Sequence, residues 1–386
     1  MDIADIFYLD HAAATPLDPK VERAMQPYLR DFFFNPSSPY APAVQVRRDY
    51  QAAKDALART FGAKGDDIII TAGATESINL AFGSFDGHVV TTAIEHHAVL
   101  SAAHRSTHAT IVAVSKNGVV RPADIAAAIT NDTMLVSVAL ANNELGTIQP
   151  LRQMSEVIHA ERQRRRANGD STPIYLHSDA SQGVGQIDVN VARLGVDLLT
   201  LNAGKVYGPK QVGLLWASPY VQLTPQIVGG GQERGLRSGT ENVAGTIGFS
   251  VAMTLAEQHR KSESNRLREL RDGLERQLQE ALPGMVVSGD RKRRLPGHLH
   301  VSFPGLDAER LLFLLELQGV YVATGSACAA NKGTRSHVLT AVGMSEEEAD
   351  GSLRMSLGKL STKENIEQAG RHIIDAVRTE MERAAR

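Results

Sequence analysis

Between residues 68 and 217, short apolar runs rich in β-branched residues alternate with longer stretches of helical periodicity. The runs lie at 68–71, 88–92, 110–114, 134–140, 174–178, 196–201 and 213–217, with amphipathic stretches such as 98–106 and 151–165 between them. This alternation predicts an α/β fold: a mainly parallel sheet sandwiched by helices. Upstream, Tyr50, Ala53, Leu57 and Phe61 recur at helical spacing and predict a helix over 46–61, stopped by Gly62. From about residue 250 the pattern changes. A long charged helix over about 252–281 precedes further strands and helices, which predicts a smaller α+β domain. There, Ser345 with Glu348 and Ser361 with Glu364 read as capping boxes, and Ile366, Ile373 and Val377 share a helix face. The expected division is a large domain over 16–250 and a small one formed by 1–15 and 251–386.

Composition narrows the function. A hydrophobic content of 42% with a formal charge of −2 excludes a disordered chain. The near-neutral balance argues against nucleic acid as a direct ligand, because phosphate binding leaves a basic footprint. The basic runs 164–166 and 291–294 are accordingly read as solvated surface. A single Cys cannot form an internal disulfide, which suits a reducing compartment. The acidic Met1-Asp2-Ile3-Ala4-Asp5 start does not read as a secretory signal, and no long apolar run suggests a membrane span. A cytoplasmic protein is expected, and no metal site is assigned.

In open α/β sheets, ligands bind beyond the carboxyl ends of the strands, so the residues just after each run are the candidates for chemistry. Run 68–71 leads into Ala72-Gly73-Ala74-Thr75-Glu76, a Gly turn opening a helix, which suits a phosphate, although Thr75 could equally be a helix cap. Asp179 follows 174–178 and is either a cap or the partner of a cation. Lys205 follows 196–201 among small residues. Desolvation there would favour its neutral, nucleophilic amine, whereas an ordinary loop lysine is simply solvated. Cys328 sits in Thr324-Gly325-Ser326-Ala327-Cys328-Ala329-Ala330, a run unlike a core strand, although a lone Cys is often a small buried hydrophobe. Arg354 alternates with Leu353 and Met355 on a predicted strand, suited to a carboxylate or to an edge salt bridge.

Taken together, these pieces resemble the cysteine desulfurases of the NifS/IscS type, fold-type I pyridoxal-phosphate enzymes related to the class-V aminotransferases. The matching motifs run through nearly the whole chain: Tyr8-Leu9-Asp10-His11-Ala12-Ala13-Ala14-Thr15-Pro16, Asn35-Pro36-Ser37-Ser38, Gly73-Ala74-Thr75-Glu76-Ser77, Glu95-His96, Asn142-Asn143-Glu144-Leu145-Gly146, Asp179-Ala180-Ser181-Gln182, Lys205 with Tyr207-Gly208-Pro209-Lys210, Glu233 through Thr240, Gly325-Ser326-Ala327-Cys328, and Arg354 through Gly358. The resemblance implies pyridoxal 5'-phosphate held as a Schiff base by Lys205, which then acts as the base at the substrate Cα. Asp179 would pair with the pyridinium nitrogen, His96 would lie over the ring, and Gln182 and Asn143 would contact the phenolic oxygen side. Ala74 and Thr75 would bind the phosphate, joined by Thr240 of a neighbouring subunit in a homodimer. Arg354, with Asn143 nearby, would hold the substrate carboxylate. Cys328 would take sulfur from L-cysteine, leaving L-alanine, and pass it as a persulfide to an iron–sulfur scaffold or other acceptor, including one serving tRNA thiolation. Asn202-Ala203-Gly204 stands where the family usually has Ser-Gly-His before the lysine, so Asn202 and Gly204 take the place of two phosphate contacts. Related alternatives are a selenocysteine lyase or other class-V enzyme, and a non-catalytic homologue serving as a protein-binding platform.

Overall fold

The computed structural model describes residues 6–106, 108–324 and 335–385. In chain order its strands are β1 (Phe7–Tyr8), β2 (Ile68–Thr71), β3 (His88–Thr92), β4 (Ala109–Val112), β5 (Thr133–Ser137), β6 (Tyr175–Asp179), β7 (Leu198–Asn202), β8 (Gly213–Ala217), β9 (Val286–Val287), β10 (His298–Ser302), β11 (Val320–Tyr321) and β12 (Ser352–Ser356). Among the described residues the larger sheet has seven strands in the order β2-β8-β7-β6-β5-β3-β4. Only β8 runs against its neighbours, so β2, β3, β5, β6 and β7 all point their carboxyl ends to the same side. The fold is the predicted α/β one.

Both faces of this sheet are apolar. Ile68, Ile70, Val90, Val136, Leu199, Leu201 and Leu214 pack into one core layer, and Ile69, Val89, Leu135, Leu198 and Leu215 into the other. That two-residue alternation, apolar on either side, is what helices on both faces require. A smaller antiparallel sheet, β12-β10-β9, carries a separate core of Leu299, Val301, Leu353 and Met355 against Leu267, Leu274, Ile373 and Val377. Leu9 joins this second core from the chain start. The helix Val243–Ala281 serves both. Its 39 residues span about 58 Å, with Phe249 and Met253 in the first core and Leu267 through Leu278 in the second. Among the described residues, no helix is long and apolar enough to cross a membrane.

Several local expectations are corrected. The first long helix spans Ala41–Arg59 because Pro42, in its first turn, sets a helical φ there. The long helix starts at Val243, where the Asn242 side chain accepts from Gly245 N. The predicted Ser361/Glu364 capping box is Thr362/Asn365, one residue on, while Ser361 Oγ accepts from Gly358 N. The basic runs are not wholly solvated. Arg165 is buried and donates to the carbonyls of Thr130, Thr133 and Thr172. Arg294 is buried on Glu275 at 2.6 Å.

Candidate active site

Five strand ends and one strand of the small sheet converge on a cavity of about 260 Å³. Its lining includes Ala74, Thr75, His96, Asn143, Asp179, Gln182, Asn202, Lys205 and Arg354.

After β2 the chain turns at Gly73, with φ 132 and ψ 177, and opens the helix Ala74–Phe82. Only glycine adopts that backbone without strain. Gly73, not Thr75, is therefore the cap residue, and Thr75 lies within the first turn facing the cavity. The leading N–H groups of a helix lack intrahelical acceptors and carry its positive dipole end, which suits this corner to an anion.

After β3, His96 caps the helix His97–Arg105, its Nδ1 accepting from Ala98 N at 3.1 Å. That bond leaves the ring proton on Nε2. Burial lowers the His96 pKa below its ordinary value, partly offset by the Asp179 charge, so the ring is neutral at pH 7. Glu95 points away into the protein. It accepts from Thr92 Oγ1 at 2.8 Å and from Ala139 N, tying β3 to the segment after β5. Full burial pushes its carboxyl up to about 7. Asn142 locks that second segment by donating to Ile94 O and accepting from Glu144 N and Leu145 N. This turn presents Asn143 and Glu144 to the cavity. Glu144 is likewise pushed up to about 7 by burial, and Ser336 Oγ donates to it at 2.5 Å.

Asp179 ends β6, with one oxygen accepting from Ser181 N at 2.9 Å. Asp179 thus bonds its own turn and also lines the cavity. Asn202 ends β7, and its Oδ1 accepts from Gly204 N, which leaves the Nδ2 donor for other partners. Lys205 follows in the turn Ala203–Lys205, and its Nζ donates to Ala12 O at 2.9 Å and Ala13 O at 2.6 Å. Gln182 donates to the same Ala12 carbonyl. Arg354 reaches the cavity from β12. It is a buried ion-pair member, with Nη2 on Asp10 Oδ1 at 2.6 Å and Nη1 towards Asn143 O at 3.4 Å.

Two expected site residues are not on this cavity. Gly204 is buried beneath it, its N–H bonded to Asn202, and Thr240 is exposed on a loop elsewhere on the chain. Cys328 and its Gly-Ser-Ala neighbours lie outside the described residues. Two further residues carry no role in the sequence reading, one lining the cavity and one paired with Arg354. His337 lines the wall, its ring nitrogen within 2.9 Å of Glu95 O. Asp10 was part of a motif, but its pairing with Arg354 depends on a contact 344 residues away in the chain.

The class-V aminotransferase model matches residues 7–369. The chain belongs to the class-V aminotransferase family. Within it, the chain is 41% identical over 370 residues to the cysteine desulfurase IscS of Dictyoglomus turgidum, covering 93% of this chain and 91% of that protein. It is 37% identical over 372 residues to cysteine desulfurase IscS 1 of Archaeoglobus fulgidus, with 94% of each covered. A solved NifS-like protein superposes with a TM-score of 0.87 at 32% identity, covering 96% of this chain and 99% of that one. The structure of SspA in complex with cysteine gives a TM-score of 0.77 at 31% identity, covering 91% and 98%. This class-V family is pyridoxal-phosphate-dependent, and the donor set here suits that cofactor. The cavity lining combines a helix N-terminus, a carboxylate, a primary amine and a guanidinium.

Proposed function

We propose that this chain is a pyridoxal-phosphate-dependent cysteine desulfurase that converts L-cysteine to L-alanine. The observation that carries the reading is the meeting of Lys205, Asp179, His96, Thr75 and Arg354 on one cavity from five separate chain segments. In this reading the N–H groups of Ala74 and Thr75, the Thr75 hydroxyl and Asn202 Nδ2 hold the phosphate. Asp179 keeps the ring nitrogen protonated, neutral His96 covers the ring face, and Gln182 and Asn143 bond its phenolic oxygen side. When bound, the cofactor supplies an electron sink for charge at the substrate Cα. Lys205 anchors it and moves the Cα proton. Arg354 orients the carboxylate. The Cys328 thiolate then takes the substrate sulfur: the C–S bond breaks, an S–S bond forms on Cys328, and the three-carbon product gains the proton that completes L-alanine.

The persulfide sulfur goes on to an iron–sulfur scaffold or another acceptor. The working unit is a homodimer in which Thr240 of each chain serves its neighbour's phosphate. Exposed Phe33 and Tyr40, joined through ring contacts with Phe34, support this, because exposed apolar surface of that kind marks an interface. The two separate cores support a division into 16–250 and 1–15 with 251–386. One cysteine and no internal disulfide suit the cytoplasm.

The test is product analysis. With a thiol reductant, L-cysteine should yield equimolar alanine and sulfide, and Cys328→Ser should stop sulfide release while keeping the cofactor. Wild-type sulfide release by that variant contradicts the nucleophile, and pyruvate in place of alanine contradicts the reaction.

A further inference from the structure

The guanidinium that the proposed function gives to the substrate is already paired. Arg354 Nη2 lies 2.6 Å from Asp10 Oδ1, with the two side chains 4% and 18% exposed. The segment bearing Asp10 is firmly held. Leu9 packs in the second core, Tyr8 Oη donates to Asp10 O and Ala14 O, and His11 N and Ala12 N bond Ser356. Asp10 is therefore a fixed carboxylate. The charged groups acting on it are Arg354 and, farther away, Lys205.

A buried guanidinium without a counter-charge is costly, so Asp10 stabilises Arg354 when no substrate is present. An incoming α-carboxylate then brings a second anion to one cation in a water-poor pocket, where like charges repel strongly. Arg354 Nε has no hydrogen-bond partner among the described residues, so the incoming carboxylate has a donor there but shares one positive charge with Asp10. We propose that Asp10 is an internal stand-in for the substrate carboxylate, which the substrate displaces from Arg354, so that Asp10 sets the affinity of the site for α-carboxylates. It acts through Arg354 and is a positioning residue. The inference rests on Arg354 being the carboxylate anchor.

Asp10→Asn separates this from a merely structural role, because it keeps an oxygen acceptor for Nη2 at the same reach and removes the competing charge. The probes are L-alanine and ethylamine, which is L-alanine without its carboxyl group, titrated into cofactor-loaded enzyme by calorimetry. Asp10→Asn is expected to tighten L-alanine about ten-fold and leave ethylamine within about two-fold. Structural damage would weaken both ligands and could not produce tightening of one. Unchanged or weaker L-alanine binding, or equal changes for both ligands, overturns the proposal. If Asp10→Asn is recovered unfolded, Asp10→Ser carries the same expectation. Arg354→Gln separates the two layers. It should weaken L-alanine alone, and if it does not, the carboxylate anchor itself is wrong. If it does while the Asp10 variants fail to tighten binding, only the stand-in role is wrong.

Discussion

Glu144 borders the cavity but is not assigned a chemical step, and its physics is legible on its own. Burial holds its carboxyl near 7, against 4.5 for an unperturbed glutamate. Between those values the folded state keeps a proton that the unfolded chain has lost. Its contribution to stability is therefore level below about 4.5 and declines as pH rises to about 7. Glu95 acts with the same sign. Glu144→Gln should flatten, without abolishing, the fall in urea midpoint between pH 5 and pH 7.5, and a slope equal to wild type would place the Glu144 titration elsewhere. Residue chemistry of this kind was only partly readable in advance. Lys205, Asp179 and Thr75 are visible because each follows an apolar run, where such sheets keep their ligands, and His96 through the family resemblance. Asp10 and His337 are not, because their contacts cross 344 and 242 residues of chain and leave no local pattern.

At the scale of elements, one joint shapes the site and another holds the fold. Gly73 takes a backbone conformation that a side chain resists, although a Cβ there would meet no atom within 4 Å. Gly73→Ala should thus cost about 1–3 kcal/mol through backbone strain alone and weaken cofactor retention by tilting the helix it opens. Denaturant midpoints and cofactor titration check both. The helix Leu151–Ala167 is pinned by Arg165, which holds four carbonyls as well as Glu161. Arg165→Ala strands those acceptors and should destabilise the fold by about 3 kcal/mol, measured by chemical denaturation. Strands β2, β3 and β8 are where the apolar runs put them. Arg165 was misread because three consecutive arginines at a helix end look solvated until the carbonyls that converge on the middle one are known.

At the scale of the molecule, the site joins two sheets, with Lys205 following a strand of the larger and Arg354 on a strand of the smaller. The short segment Asp10 to Ala13 touches both side chains. A third component, Thr240, is expected from the neighbouring chain. If so, Lys205→Ala mixed with Thr240→Val should regain activity in the hybrid dimer, since one site then holds Lys205 and Thr240 intact. No regain would mean that Thr240 serves its own chain or none. The general architecture was legible in the β/α alternation, because that pattern has few solutions. The long helix that unites the cores was foreseen only from residue 252 on, since its first turns are small and apolar rather than charged. The account as a whole turns on the amine at position 205 being the cofactor's anchor. Borohydride reduction of the purified enzyme followed by peptide mass mapping measures this directly. The expected result is a pyridoxyl-phosphate adduct on Lys205 that is lost in Lys205→Ala, and an adduct on another lysine, or none in enzyme supplied with excess cofactor, would contradict it.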